Sequence, residues 1–493
     1  MRIVLYARPW SIDLLLAVEE RWRKRGRELD VQYVTSHAEA KRALDAAGKR
    51  ATFLPDAVQD LRIADAMATL SEIEGRHDGN LLPLMRCLMA DRTIAGHDPG
   101  WQIDQLARHA LFFDRFFAER RPDSIIGEAA DWMPAWVAFE LARAHGCTSV
   151  GMTPSAMPAG RLLLLRTHQT IAGAAEDYER LRSAGLDADR LAAARALQAV
   201  ILGRGTKLDY LPPVRRPLRF LSSLLTGVAL RRQLGVMFEQ TRERRSGNWF
   251  TQPNPVAHWL LTKPHAVRAA VARRRHLNEG LSGRPFAFYP LQYQPEASTL
   301  VHASYFDNQI EVVRNLARSM PGGWDLVVKE HFFMAGQRRL SFYRELQRIP
   351  NLRLIALSVP TNRLIQEAAV VTVITSTCGL EASLIGRPVV MFGDYPWDYA
   401  PTVQKVGAMG DLPALIRSAA AADFGPDHPD VLAFAASWDA ALPEGRYYNN
   451  RRHDWLEGEN VDRIAEALWS AVAGGSPRHS AQLQAAEGGA TLG

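Results

Sequence analysis

The stretch VVTVITSTCGLEASLIGRPVVMFGD, residues Val370–Asp394, decides how the rest of the chain is read. Val370 to Ile374 and Pro388 to Phe392 are short β-branched apolar runs, the pattern of strands buried on both faces. Between them lies a hydroxyl-rich turn, Thr375, Ser376 and Thr377, followed by a helical segment from Cys378 to Ile385. That connection is too long for a hairpin, so the two strands are parallel and the unit is βαβ. Units of this kind bind ligands at the carboxyl ends of their strands. There the free N–H groups of a helix N-terminus, with the hydroxyls of Ser376 and Thr377, suit an anionic oxygen such as a nucleotide phosphate. The plainer alternative is that these hydroxyls only cap the helix.

The same alternation extends upstream. Pro285 to Tyr289, Asp325 to Lys329 and Leu352 to Ala356 read as strands, and Asp307 to Ser319, Arg338 to Arg348 and Thr361 to Glu367 as helices. With the first unit this gives five parallel strands in a Rossmann-like layer. Every strand exits into a polar, Pro- or Gly-containing segment: PLQYQPE (290–296), KEHFFMAGQR (329–338), SVP (358–360), TSTCGLE (375–381) and GDYPWDY (393–399). In a parallel sheet these exits share one edge and assemble one crevice. Lys329 and His331 supply cations or hydrogen-bond donors to a phosphate, with the acid Glu330 between them. Gln292 and Tyr395 belong to the same rim. Glu381, four residues after Thr377, is expected in the first turn of its helix, where it either accepts from a sugar hydroxyl or complements the dipole.

The first 170 residues alternate in the same way. Strands are expected at Arg2 to Ala7, Val31 to Thr35, Ala51 to Leu54, Ser124 to Gly127 and Thr148 to Met152. Helices separate them at Ile12 to Arg25, Ala38 to Ala47, Met85 to Met89, Trp101 to Glu119 and Met133 to Ala144, so this half is a second doubly wound α/β layer. Two exits carry chemistry: Arg8 with Pro9 and Trp10, and Glu128 with Asp131. A carboxylate at a strand's carboxyl end is placed to take a proton from an acceptor hydroxyl, and Glu128 is the first candidate. Its alternative is a helix cap or an ion pair with a nearby Arg. Arg161 meets either a substrate carboxylate or solvent at a helix terminus.

From about His168 to Gly283 the strand signal stops. Tyr178 to Leu202 is helical, and then come YLPPVRRPLRFL (210–221), Arg231, Arg232 and a helix ending at Arg273 to His276, broken by prolines. Arg mixed with Leu, Phe and Trp suits an anionic membrane surface or a polyanionic glycan, or is a helical excursion with solvated Arg side chains. No nucleic-acid recognition motif accompanies the charge.

Composition sets the outer bounds. At 493 residues, with 47% hydrophobic and 23% charged, the chain has the balance of a globular protein of several domains. No stretch reaches the roughly 18 to 20 apolar residues of a membrane span. MRIVLYARPW reads as a first strand and not as a signal peptide. Three scattered cysteines, Cys87, Cys147 and Cys378, argue for a reducing compartment and against both a disulfide framework and a zinc cluster. A net charge of +6 permits an anionic substrate.

Over Pro290 to Thr299, Asp307 to His331 and Arg344 to Gly393, with Tyr395 and Tyr399, the chain resembles bacterial capsule and surface-carbohydrate biosynthesis proteins, a group similar to GT-B glycosyltransferases. The group resembles the capsule Kdo transferases and polysialyltransferases, whose His-Pro motif and paired Ser/Thr motif hold the nucleotide of a CMP-sugar. The resemblance puts that His on His331 and the hydroxyl pair on Ser376 and Thr377; Phe332 stands where the motif has proline. It matches the acidic base of the first domain to Glu128. It implies a GT-B-like α/β fold of two Rossmann-like domains facing a cleft. The boundaries expected are 1–167 for the acceptor side, 168–283 for a basic helical connection, 284–475 for the nucleotide-sugar side and 476–493 for a disordered tail. In that architecture the helix Asn460 to Val472 crosses back to the first domain.

The function expected is transfer of a sugar from a nucleotide-sugar donor, CMP-Kdo favoured, to a capsular or surface polysaccharide or glycolipid. Lys329, Glu330, His331, Ser376, Thr377 and Glu381 hold the donor, with Glu128 and His331 catalytic and Arg8, Asp131, Gln292 and Tyr395 as further cleft candidates. Deprotonation of the acceptor by Glu128 implies an inverting displacement, the lack of an Asp-x-Asp pair at the strand exits is consistent with transfer without a metal ion, and no cofactor is expected. The chain is expected in the cytoplasm, at the inner face of the membrane, with no nucleic-acid partner. The alternatives are a non-catalytic glycan-binding or scaffold protein of an export assembly, and a nucleotide-sugar epimerase of the same layout.

Overall fold

The computed structural model describes residues 1–166, 170–203, 280–447 and 454–474, together with 238, 271–272, 274 and 276–278. The basic run 210–221, Arg231, Arg232, Arg273, Arg275 and the tail from Ser476 lie outside the described residues.

Two six-stranded sheets organise the chain. The first contains β1 (Arg2–Tyr6), β2 (Asp30–Thr35), β3 (Ala51–Phe53), β4 (Ser124–Glu128), β5 (Thr148–Pro154) and β6 (Leu162–Leu165), in the order β3-β2-β1-β4-β5-β6. All its pairings are parallel except β5 with β6. The second contains β7 (Phe286–Pro290), β8 (Asp325–Lys329), β9 (Leu352–Ile355), β10 (Val370–Val373), β11 (Val389–Met391) and β12 (Val403–Lys405), in the order β12-β11-β10-β7-β8-β9 and parallel throughout. Both therefore reverse their winding in the middle, between β1 and β4 and between β7 and β10, and such switch points are where doubly wound sheets open a crevice.

The second sheet has six strands, one more than the five expected. β12 is three residues long and only half buried, so it has no apolar run to announce it. In the first sheet, β6 pairs antiparallel with β5, and Arg161 beside it meets a helix terminus, the C-terminal end of Pro429–Ala441. Its Nη1 donates to the Leu442 carbonyl at 3.0 Å and Nη2 lies 3.6 Å from Asp439. The helical stretch expected over Tyr178 to Leu202 is two helices, Ala174–Ala184 and Ala188–Leu202, parted at Gly185, whose φ of 83° lies in the left-handed region. Both pack on Pro429–Ala441, a helix buried on nearly every side.

The chain crosses between the two layers more than once. The last helix, Gly458–Ala473, lies against Ile12–Lys24 of the first layer, where Trp22 Nε1 donates to the Ala465 carbonyl at 2.7 Å and Arg27 stacks over Trp469. In the other direction, Val301, from just after β7, is buried in the same core cluster as Leu84, Cys87 and Trp136.

Close packing fixes the βαβ unit. Gly379, in the first turn of Thr377–Leu384, sits where a Cβ would press into the Trp397 ring and come within 2.8 Å of Val373 Cγ2. Gly379→Ala should lower stability by about 1–3 kcal/mol, the usual cost of overpacking, a loss measurable by urea titration; a variant as stable as the parent would contradict this packing. Among the described residues no helix is long and apolar enough to cross a membrane.

Candidate functional site

At the switch point of the first sheet, the exits of β1, β2 and β4 bring Arg8, Trp10, His37, Glu128, Asp131 and Trp132 together. Arg8 is buried and paired with two carboxylates: Nη1 is 3.2 Å from Glu128 Oε2 and Nη2 is 2.6 Å from Asp131 Oδ1. Its guanidinium lies over the Trp132 ring, 4.9 Å from the centroid. Burial alone would lower the Arg8 pKa, but Asp131 and Glu128 outweigh it, and the group stays charged.

The two carboxylates part company. Burial pushes Glu128 up to about 7, against the pull of Arg8 and of the Trp10 indole N–H, which donates to Oε2 at 2.5 Å. Asp131 also loses solvent, but Arg8 more than compensates and holds it below the usual carboxylate range. Paired acids with divergent pKa values are the arrangement that general acid–base chemistry uses. Glu128 carries a second feature: both its partners sit on Oε2, and Oε1 is buried with no hydrogen-bond partner. Such an atom costs stability in the folded state and suits a ligand hydroxyl.

His37 was not foreseen, nor was the part played by Trp132. The imidazole of His37 lies 4.9 Å from the Trp132 ring and 5.9 Å from that of Trp10. Burial, then Arg8, lowers its pKa to about 3, so it is neutral at physiological pH. The signal was present, since Val34-Thr35-Ser36-His37 is the exit of β2. Arg92 had no such signal, being remote from any strand. It donates to the Pro295 carbonyl at 3.1 Å and lies 3.5 Å from Asp131 Oδ2, so it joins the rims of the two sheets. Glu296 is within electrostatic reach of both; burial, and next in sign Asp131, raise its pKa.

On the second sheet the exits of β7, β8 and β10 bring Gln292, Lys329, Glu330, His331, Ser376 and Thr377 to one edge. The last five are split by the width of β7, about 10 Å between β8 and β10. The Gln292 carbonyl accepts from Arg338 at 2.7 Å and from Gln309 Nε2, while its own Nε2 is buried without a partner. Lys329 Nζ donates to the Val359 carbonyl at 2.5 Å and to Thr361 Oγ1 at 2.7 Å, which ties down the start of helix Thr361–Glu367; burial lowers its pKa. Glu330 is fully engaged, accepting from Arg338 Nε (3.0 Å), the Tyr343 hydroxyl (2.8 Å) and the backbone N–H of His331 (2.6 Å).

His331 begins the short 3-10 turn Phe332–Met334, and its Nδ1 accepts from the Phe333 N–H at 3.3 Å. Burial, then Arg338, lowers its pKa to about 4. The neutral ring therefore carries its proton on Nε2 and offers a donor there. Tyr293 and Phe333, both also missed, flank it at 5.8 Å between ring centroids. Phe332, in place of the motif proline, is half exposed.

Ser376 Oγ accepts from the Cys378 N–H at 3.3 Å, the capping bond of helix Thr377–Leu384, and Thr375 Oγ1 donates to the Ser298 carbonyl at 2.6 Å. Because the helix starts at Thr377, Glu381 is not in its first turn as expected. It is one turn further in and buried, so the dipole of the N-terminus is not what it serves. Tyr395 meets His302 edge-on at 4.8 Å.

Several solved structures resemble the chain at low identity. A β-Kdo 2,7 transferase, KpsC of Thermosulfurimonas dismutans, is 11% identical over 66% of this chain and 80% of that one, with a TM-score of 0.33. HepE (Alr3699) of Anabaena in complex with UDP-glucose is 11% identical over 96% and 100%, with a TM-score of 0.27. UDP-GlcNAc 2-epimerase of Neisseria meningitidis bound to UDP-GlcNAc is 12% identical over 89% and 98%, with a TM-score of 0.24. No curated protein sequence matches. Residues 250–401, less than a third of the chain, match the family described as capsule polysaccharide biosynthesis protein.

Proposed function

We propose that the protein is a glycosyltransferase that moves a sugar from a nucleotide-sugar donor, a CMP-sugar such as CMP-Kdo favoured, to a capsular or surface polysaccharide or glycolipid. The observation that carries this reading is the Glu128 carboxyl, poised near 7 with Oε1 unpartnered, in a cluster whose Asp131 is joined through Arg92 to the loop after β7. In the reaction the acceptor hydroxyl oxygen bonds to the anomeric carbon and the bond from that carbon to the nucleotide phosphate breaks. The phosphate departs with the electron pair, and the hydroxyl proton passes to Glu128. A single displacement inverts the anomeric centre. Asp131, held ionised by Arg8, keeps that guanidinium in place.

On the donor side, His331 Nε2–H and the N-terminus of helix Thr377–Leu384, with the Ser376 and Thr377 hydroxyls, receive the phosphate, whose growing charge they stabilise without a metal ion. Gln292 Nε2 donates to the donor, while Glu381 and Tyr395 line its far side. Lys329 and Glu330 act as positioning residues, through the 359–361 segment and the Arg338 loop. The capsule family match over residues 250–401 supports this assignment of roles.

The test is a thermal-shift screen of CMP, UDP, GDP and ADP, followed by product analysis with the matching donor and an oligosaccharide acceptor. CMP should stabilise the protein, and His331→Ala should weaken that by about tenfold, the loss of a hydrogen bond to a charged group. Indifference to all four nucleotides would favour the scaffold alternative, and acceptor-independent conversion of the donor sugar would favour the epimerase.

A further inference from the structure

We propose that His77, Asp114 and His145 form a binding site for a divalent cation of the zinc class, which pins three helices of the first layer together. His77 ends helix Ala66–Arg76, His145 ends helix Met133–Ala144, and Asp114 projects from the middle of helix Pro99–Arg120. His77 Nε2 lies 2.7 Å and His145 Nε2 2.9 Å from the same atom, Asp114 Oδ1, and one ligand atom from each residue lies within 4.8 Å of the others. Two imidazole nitrogens and a carboxylate oxygen are a donor set that zinc takes, with solvent as fourth ligand. With metal bonds of about 2.0 Å, tetrahedral ligand atoms stand about 3.3 Å apart. The two imidazole–carboxylate distances need to open by about half an ångström, and the widest pair of ligand atoms, within 4.8 Å, closes toward the same spacing.

Two features ease binding. Both imidazoles sit at helix C-termini, where the helix dipole favours positive charge. A competing cation, Arg76, 2.8 Å from Asp114 Oδ2, has a side chain 56% exposed and can swing into water. The remaining access is adequate, with His77 and His145 side chains 13% and 19% exposed. The role is structural and remote from the proposed chemistry. Met133, whose N–H bonds Asp91, starts a helix of 12 residues, so His145 is about 18 Å from the strand-exit rim. Cysteine counting does not bear on such a site, and spacings of 37 and 31 residues match no ligand motif.

The full chain, stripped with a chelator and then dialysed against zinc, should retain one equivalent through gel filtration and melt several degrees higher than the stripped protein. Asp114→Asn and His145→Gln should each weaken retention by at least about tenfold, the loss expected from disturbing even an outer-shell partner. Far-UV circular dichroism confirms that the variants fold. Cobalt(II) gives a second readout on the unaltered chain: intense visible absorption marks a four- or five-coordinate site. Zinc held equally by parent and variants, no zinc held by the parent, or only the weak spectrum of hydrated cobalt would overturn the proposal, leaving two imidazole N–H groups donating to one carboxylate.

Discussion

Glu128→Gln should lower the rate of sugar transfer by about 100- to 10,000-fold, the range general-base removal covers, while nucleotide binding stays as it is. The substitution is nearly isosteric, and an amide oxygen still accepts from the Trp10 indole, so the loss reports chemistry and not folding. The parent should also show an ascending pH limb. A base must be deprotonated to act, burial holds Glu128 at about 7, and so kcat/KM should rise with pH and level off above about 7. In Glu128→Gln that limb should vanish. A variant with parental activity, or a parent whose rate is flat through neutrality, would remove Glu128 from the mechanism.

The largest effect on stability should come from Arg338→Ala. Arg338 and Glu330 have side chains only 7% and 1% exposed, and Arg338 also holds the Gln292 carbonyl and stacks over Phe342. Removing one partner leaves a buried carboxylate uncompensated, at a cost of about 3–5 kcal/mol. The melting temperature should fall by on the order of 10 °C. The double change Arg338→Met with Glu330→Gln should recover much of that, because replacing both charges removes the orphan. If Arg338→Ala melts with the parent, or the double change melts lower still, the network does not fix the β7 and β8 exits as described.

Much of this layout was legible because parallel strands announce themselves. Val370 to Ile374 and Pro388 to Phe392 are buried on both faces and uninterruptedly apolar, and β10 and β11 lie within them. β12 and the helix Pro429–Ala441 were not read. The first is short and half exposed, and the second is apolar around its whole circumference and so has no amphipathic period. The exit rule brought out Arg8, Asp131 and Glu128, which the structure gathers into one cluster. It carried no information on what each side chain already binds. Lys329 and Glu330 stand at their exit, yet their polar atoms are spent on Val359, Thr361, Arg338 and Tyr343. Arg92 reaches Pro295 across 203 residues, a contact that tertiary packing alone creates.

The account rests on two strand-exit rims serving one reaction, and a co-crystal structure with the stabilising nucleotide-sugar tests it most directly. The account predicts the phosphate on the N-terminus of helix Thr377–Leu384 within hydrogen-bond reach of His331 Nε2, and the sugar turned toward Glu128 Oε1. A donor bound away from both rims, or one whose sugar points away from Glu128, would contradict it.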